Sequence, residues 1–159
     1  MDVYFWRENE RPYGCFSQWY ISSFTDGELT FNCCEQYMMF IKAILFNDYD
    51  IADKIMNEKL PKNQKMLGRK VKNFNHDKWN FYKESIVYTA NYYKFTQNKE
   101  LKKILLSTKC NIYEASPYDN IWGIGITKRQ AENGFKHNGQ NLLGIALMNV
   151  RNDLIKEQK

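Results

Sequence analysis

Long hydrophobic runs are missing from this 159-residue sequence. None approaches the ~18 residues that a bilayer span needs, and the start, Met1-Asp2-Val3-Tyr4-Phe5-Trp6-Arg7-Glu8, lacks the basic-then-apolar layout of a secretory leader. The expectation is a cytoplasmic protein with no membrane partner, in a host cytoplasm if the source is viral. Cysteine and histidine are scarce too. Cys15, Cys33, Cys34 and Cys110 form no Cys-x-x-Cys pair, and with only two histidines no zinc quartet can be drawn, so no metal is expected. His76 and His137 have no Ser or Cys partner at a recognisable spacing, which excludes a legible Ser/His/Asp arrangement and leaves both as surface residues. Gly68-Arg69-Lys70 and Gly123-Ile124-Gly125 are neither a P-loop nor a dinucleotide fingerprint, so no cofactor is expected.

What is abundant is apolar and aromatic surface. Apolar residues make up 43% and aromatic residues 16%, which argues against disorder and provides rings for a pocket as well as a core. A chain this long fits one domain, residues 1–159, without stapling. Net charge is +5, with Lys and Arg spread along the chain and no compact basic tract in view. That balance attracts phosphates weakly and is compatible with a nucleotide or nucleic-acid substrate, although a solvated basic surface is the commoner cause.

Periodicity predicts a predominantly helical α+β fold with a few short strands. Val3–Trp6 and Glu28–Phe31 read as strands, with Thr25-Asp26-Gly27 as a turn. Tyr37, Phe40, Ile41, Ile44 and Leu45 repeat at helical spacing, so a half-buried helix begins near Cys33 and runs to Phe46. Asp48–Leu60 reads as a second helix capped by Asp48, and Pro61 opens a third through Leu67. Asp77–Phe95 is the longest helical candidate, Lys99–Leu106 follows, Ile112–Ala115 is a short strand, and Asn141–Lys156 closes the chain as a helix. Between these last two elements, Pro117, Gly123 and Gly125 punctuate a loop and a polar segment.

Several residues could carry chemistry. Glu35 and Lys42 lie seven apart on one predicted helix, about two turns along the same face. In a pocket, burial would lower the lysine pKa and make it a nucleophile, with the carboxylate moving protons; periodicity alone favours a solvent-facing acid and base. Asp119 and Trp122 sit in the run from Ser116 to Gly125. There a carboxylate can stabilise an oxocarbenium-like centre while the indole stacks on a base, or a capping Asp and a core Trp can simply build a turn. Trp79, among polar neighbours, either stacks a ligand or covers a core edge, the second being more usual. Gly123 lets the backbone approach a ligand. Ser17 and Arg7 can hold phosphate, or cap and solvate the surface.

These residues fall into ordered blocks. Phe5-Trp6 with Tyr13-Gly14-Cys15-Phe16-Ser17-Gln18-Trp19, Glu35-Gln36-Tyr37 with Lys42-Ala43, Leu67-Gly68-Arg69-Lys70-Val71, Trp79, and Lys94-Phe95-Thr96-Gln97-Asn98 come first. Glu114-Ala115-Ser116-Pro117 with Asp119 and Trp122-Gly123-Ile124-Gly125, then Gly139-Gln140-Asn141-Leu142-Leu143-Gly144 through Arg151, close the pattern. Over nearly its whole length the chain resembles the NADAR (YbiA-like) family. Gln36 stands where a His is common and Gln18 where an Asn is common, changes that alter the donors and acceptors offered to a substrate.

The resemblance implies a YbiA-like fold and an N-glycosidase acting on ADP-ribose or ribose-phosphate compounds. Members either remove ADP-ribose from guanine bases in DNA, often as antitoxins beside a cognate ADP-ribosyltransferase toxin, or cleave phosphorylated riboflavin-pathway intermediates. Carried onto this chain, Glu35, Lys42 and Asp119 become the catalytic set, with Lys42 as candidate nucleophile, and Trp79 and Trp122 become substrate-binding residues. The rivals are a module that binds ADP-ribose without cleaving it and a nucleic-acid-binding protein with no enzymatic role.

Overall fold

A computed structural model describes residues 1–159, and the chain forms two compact units. One unit is built from residues 1–20 and 99–159, and the other is residues 21–98, inserted between them in sequence.

The first unit centres on two parallel strands. Strand β1 (Val3–Phe5) pairs with β4 (Ile112–Glu114) in the register Val3–Ile112, Tyr4–Tyr113 and Phe5–Glu114. Parallel neighbours cannot be joined by a hairpin; here the inserted unit and helix α5 (Lys99–Ser107) separate them in sequence. Helix α7 (Leu142–Glu157) packs on β4 and α5 through Leu143, Leu147, Val150 and Leu154, the stripe expected at spacings of three and four. A 3-10 turn at Tyr13–Phe16 buries Phe16 edge-on against Phe5, with ring centroids 5.7 Å apart. Helix α6 (Lys128–Glu132) lies in the segment expected to be merely polar. Its signal was present: Thr127 and Gln130 form a reciprocal capping box, Thr-x-x-Gln, which satisfies the first N–H groups of even a five-residue helix.

Asn141 ties this unit together. It adopts a left-handed backbone conformation (φ 55°) as the N-cap of α7. Its side-chain oxygen accepts from the Glu114 N–H at 3.0 Å, its amide donates to the Ile112 carbonyl at 2.9 Å, and its own N–H donates to the Gly123 carbonyl at 3.0 Å. One buried amide thus joins strand, helix and the Trp122-Gly123 loop.

The second unit is built around α1 (Cys34–Leu45), against which α2 (Tyr49–Asn57), α3 (Pro61–Gly68) and α4 (His76–Gln97) all pack. The caps are those the sequence predicts: Asp48 accepts from the Ile51 N–H at the start of α2, and Pro61 opens α3. Strands β2 (Phe24–Thr25) and β3 (Thr30–Phe31) form a short antiparallel hairpin, and Asp26 closes its turn by accepting from the Glu28 and Leu29 N–H groups. Phe24, Phe31, Tyr37, Phe40 and Tyr93 join in an aromatic cluster where the hairpin meets α1 and α4.

Gln36 does not face a ligand, as its departure from the usual His suggests it might. It is buried, donates to the Ile55 and Glu58 carbonyls at 3.0 and 3.2 Å, and accepts from the Asn32 N–H at 2.7 Å. Gln64 repeats the device, donating to the Glu58 carbonyl at 2.8 Å and accepting from the Cys33 thiol at 3.1 Å. An amide can donate and accept at once, which is what the free carbonyls at the end of α2 and the N–H at the entry to α1 require together. Burial pushes the Cys33 and Cys34 thiols up to about 12 and about 11, so both behave as small core residues. No helix is long and apolar enough to cross a membrane.

Replacing Asn141 with Ala leaves two backbone groups unsatisfied and forces a Cβ-bearing apolar residue into left-handed backbone. We expect a loss of about 3–5 kcal/mol in urea unfolding, with Asn141→Gly recovering only the backbone share, about 1 kcal/mol. A change below about 1 kcal/mol for Asn141→Ala would refute this role.

Candidate functional site

Glu35 and Lys42 do not face solvent, the arrangement that periodicity alone favours. Glu35 occupies the first turn of α1 and is 4% exposed, and Lys42 in the last turn is half-buried. Packing of α1 by three other helices is the reason, since a helix so surrounded has little free face. A carboxylate in a first helical turn gains from the N-terminal dipole, which partly offsets its burial.

The Lys42 amine sits against two rings. Its Nζ lies 4.9 Å from the centre of Phe74 and 5.5 Å from that of Trp79, near the start of α4. Burial holds its pKa below the usual value of 10.5; the Glu35 charge opposes this by favouring the ammonium, and Arg69 adds to it by like-charge repulsion. Burial is the largest of the three causes, so the neutral amine is more populated than in an exposed lysine. Trp79 is half-buried, with its ring available as a wall beside the amine. One unit therefore brings a carboxylate, an amine and an indole into electrostatic and ring contact.

Asp119, Trp122 and Gly123 belong to the other unit. Asp119 Oδ1 accepts from the Ile121 and Trp122 N–H groups at 2.9 and 2.8 Å, so the residue does build a turn, and Oδ2 takes no part in it. Trp122 is half-buried rather than sealed in a core. Gly123 is required sterically: a Cβ there would lie 2.8 Å from the Glu114 carbonyl oxygen and 2.9 Å from that of Asp119. Ser17 is buried where the 3-10 turn ends, its hydroxyl accepting from the Trp19 N–H at 3.2 Å. Arg7 is exposed and lays its guanidinium 4.4 Å from the centre of the Trp6 ring, which in turn touches Tyr118. Cavities of about 390 Å³ beside α2 and about 200 Å³ beside β1 are lined by none of these eight residues.

One functional candidate was missed as such. Lys94 on α4 is fully buried, 5.3 Å from the Phe95 ring centre, and its charge favours the Cys34 thiolate against burial. The signal was its helical position, four residues after the buried Ala90 and seven after the buried Val87.

The NADAR domain family profile matches residues 4–155. N-glycosidase R617 of Acanthamoeba polyphaga mimivirus is 44% identical over 95% of each chain. Protein irg-1 of Caenorhabditis elegans is 39% identical over 82% of this chain and 64% of its own length. The chloroplastic riboflavin biosynthesis protein PYRR of Arabidopsis thaliana is 32% identical over 69% of this chain, but only 18% of its own length is covered. Among solved structures, the NMR structure of the E. coli protein YbiA superposes with a TM-score of 0.81 at 25% identity, covering 99% of this chain and 86% of that one.

The causes of the Lys42 shift yield a signed prediction. Removing the Glu35 charge in Glu35→Gln removes the influence that raises the amine pKa, so the Lys42 titration should move to still lower pH, whereas Arg69→Gln should move it up. Lysine Nζ-edge NMR or pH-dependent acylation read by mass spectrometry follows both. A rise in Glu35→Gln or a fall in Arg69→Gln would refute the electrostatic pairing. Trp79→Ala should cost less stability than the ~3–5 kcal/mol of a core Trp.

Proposed function

Since this chain belongs to the NADAR family and is an N-glycosidase, a hydrolase of glycosidic bonds, we propose that it removes ADP-ribose from guanine bases in DNA. The observation that carries the reading is the half-buried Lys42 amine between Phe74 and Trp79, with the buried Glu35 on the same helix.

The chemistry follows from those groups. Neutral Lys42 Nζ attacks the anomeric carbon of the ribose, and the bond from that carbon to the base nitrogen breaks, its electron pair going to the nitrogen. The leaving base takes up a proton there, and Glu35 is the group suited to relay protons between amine and leaving group. The sugar then opens to an imine on Lys42, which water hydrolyses to release the sugar and restore the amine. Trp79 supplies an apolar stacking wall. The family resemblance assigns Asp119 as a second carboxylate and Trp122 as a second stacking ring; the Oδ2 atom outside the turn is the one suited to meet developing positive charge. Gly123, Ser17 and Arg7 are proposed for substrate binding on residue type alone, glycine allowing close backbone approach and Ser and Arg offering phosphate donors.

A reader that merely bound ADP-ribose would have no use for an amine of lowered pKa. Riboflavin-pathway intermediates are the alternative substrate, a reading that draws on the plant relative's name.

The test is turnover of an oligonucleotide carrying ADP-ribosylated guanine. Lys42→Ala and Glu35→Gln should each lower release about 10²–10⁴-fold, and borohydride should trap substrate on Lys42. Asp119→Asn should reduce the rate while keeping the turn, because an amide oxygen accepts the same two N–H bonds. Cleavage of a phosphorylated riboflavin intermediate, with modified DNA left intact, would replace the substrate assigned here. If both substrates survived while ADP-ribose bound, the catalytic reading would fall.

A further inference from the structure

Lys and Arg look evenly spread when the chain is read residue by residue, yet residues 59–83 carry eight of them against a single acid, Asp77. That segment holds a net charge of +7 where the whole chain holds +5, so the remainder is slightly acidic. The concentration escapes a search for basic runs because the cations come singly, between Asn, Gln and apolar residues. In the folded unit Lys59 lies just before α3 and the others occupy α3, the connector that follows it and the first turns of α4, and all but the half-buried Lys83 are exposed.

Large rings are exposed in the same segment. Phe74 is 43%, Phe81 79% and Tyr82 41% exposed. Lys78, Phe81 and Tyr82 share one face of α4 at spacings of three and four, and the Phe81 and Tyr82 rings touch edge to face at 4.9 Å. The connector is fixed: the Asp48 carboxylate accepts from the Lys72 N–H at 2.9 Å, and Phe74 packs on Phe46. It also borders the proposed site, since Phe74 touches the Lys42 amine and Arg69 acts on its pKa.

We propose that the exposed cations and rings of α3, the connector and the first turns of α4 together form a docking surface for single-stranded DNA. The charge selects a polyanion, and exposed rings select unpaired bases, whose faces can stack where duplex bases cannot. The surface would deliver a strand to Lys42; in that respect it rests on the DNA reading above, but binding of an unmodified strand needs no turnover and is measured separately.

The experiment uses the full chain and a fluorescein-labelled, unmodified DNA strand of about 12 nucleotides, followed by anisotropy. If about five phosphates are neutralised, affinity should fall roughly 100-fold between about 50 and 200 mM salt. The triple variant Lys62→Glu, Lys70→Glu, Lys72→Glu should bind at least about tenfold more weakly, and Phe81→Ala at least about fivefold. The matched variant Lys136→Glu, Lys156→Glu, Lys159→Glu, with the same change in net charge but outside the surface, should bind like the wild type. All three variants alter exposed side chains, so each should keep its melting temperature. Equal weakening by the two triple variants would overturn the proposal in favour of net charge alone. Unchanged binding by the first triple variant, tighter binding of the matching duplex, or no binding by the wild type would overturn it outright. Modified DNA bound but not cleaved would instead count against the proposed function and leave the surface standing.

Discussion

Burial of α1 on several sides is the constraint from which the rest of the second unit follows. A helix packed by α2, α3 and α4 cannot keep its polar residues in water, so each must find an internal purpose. Gln36 meets this by bonding the end of α2, and Asp48, just past the helix, by capping α2 and holding the connector. Glu35 and Lys42 are left as charges, buried and half-buried, fixed about two turns apart by helix geometry itself. Such a pair is expensive for folding. That cost would be matched by a gain in function if the amine of lowered pKa is the nucleophile proposed above.

The same logic separates what could be read in the sequence from what could not. Every long helix announced itself through apolar spacing and through caps such as Asp48 and Pro61, because those signals are local. The burial of Glu35 was not legible, since periodicity reports which residues share a face but not whether that face is covered. Gln36, Gln64 and Asn141 were likewise opaque: an amide in a sequence looks alike whether it bonds water or three distant backbone groups. Its departure from the family pattern suggested that Gln36 tunes a substrate, and the structure makes it a strut. The family resemblance found the blocks around Asp119 and Gly139 because it reads order along the chain. The crowding that forces glycine at 123, against the Glu114 and Asp119 carbonyls, becomes visible only when strand and loop are seen together.

For Asp119 the structural role and the proposed functional one need not compete. Both N–H bonds of its turn go to Oδ1, so the carboxylate fixes the backbone of Trp122 with one oxygen and presents the other. Gly123, next in sequence, has its carbonyl engaged by Asn141, which also grips β4. The indole of Trp122 therefore hangs from a loop anchored on both sides, a rigidity that would suit the stacking role proposed for it.

Electrostatics around Lys42 sets two demands against each other. Arg69 favours the neutral amine by repulsion, and a cation at that place also attracts phosphates. A bound phosphate would screen Arg69 and push the amine back towards its ammonium form, weakening the nucleophile at the moment of need. Burial, not Arg69, is the largest cause of the lowered pKa, however, and a ligand laid over Phe74 and Trp79 would exclude more water from the amine. Desolvation thus grows as repulsion is lost. If Lys42 is the nucleophile proposed above, its place against the Phe74 and Trp79 rings would let an anion bind nearby while burial continued to hold the amine pKa below its usual value.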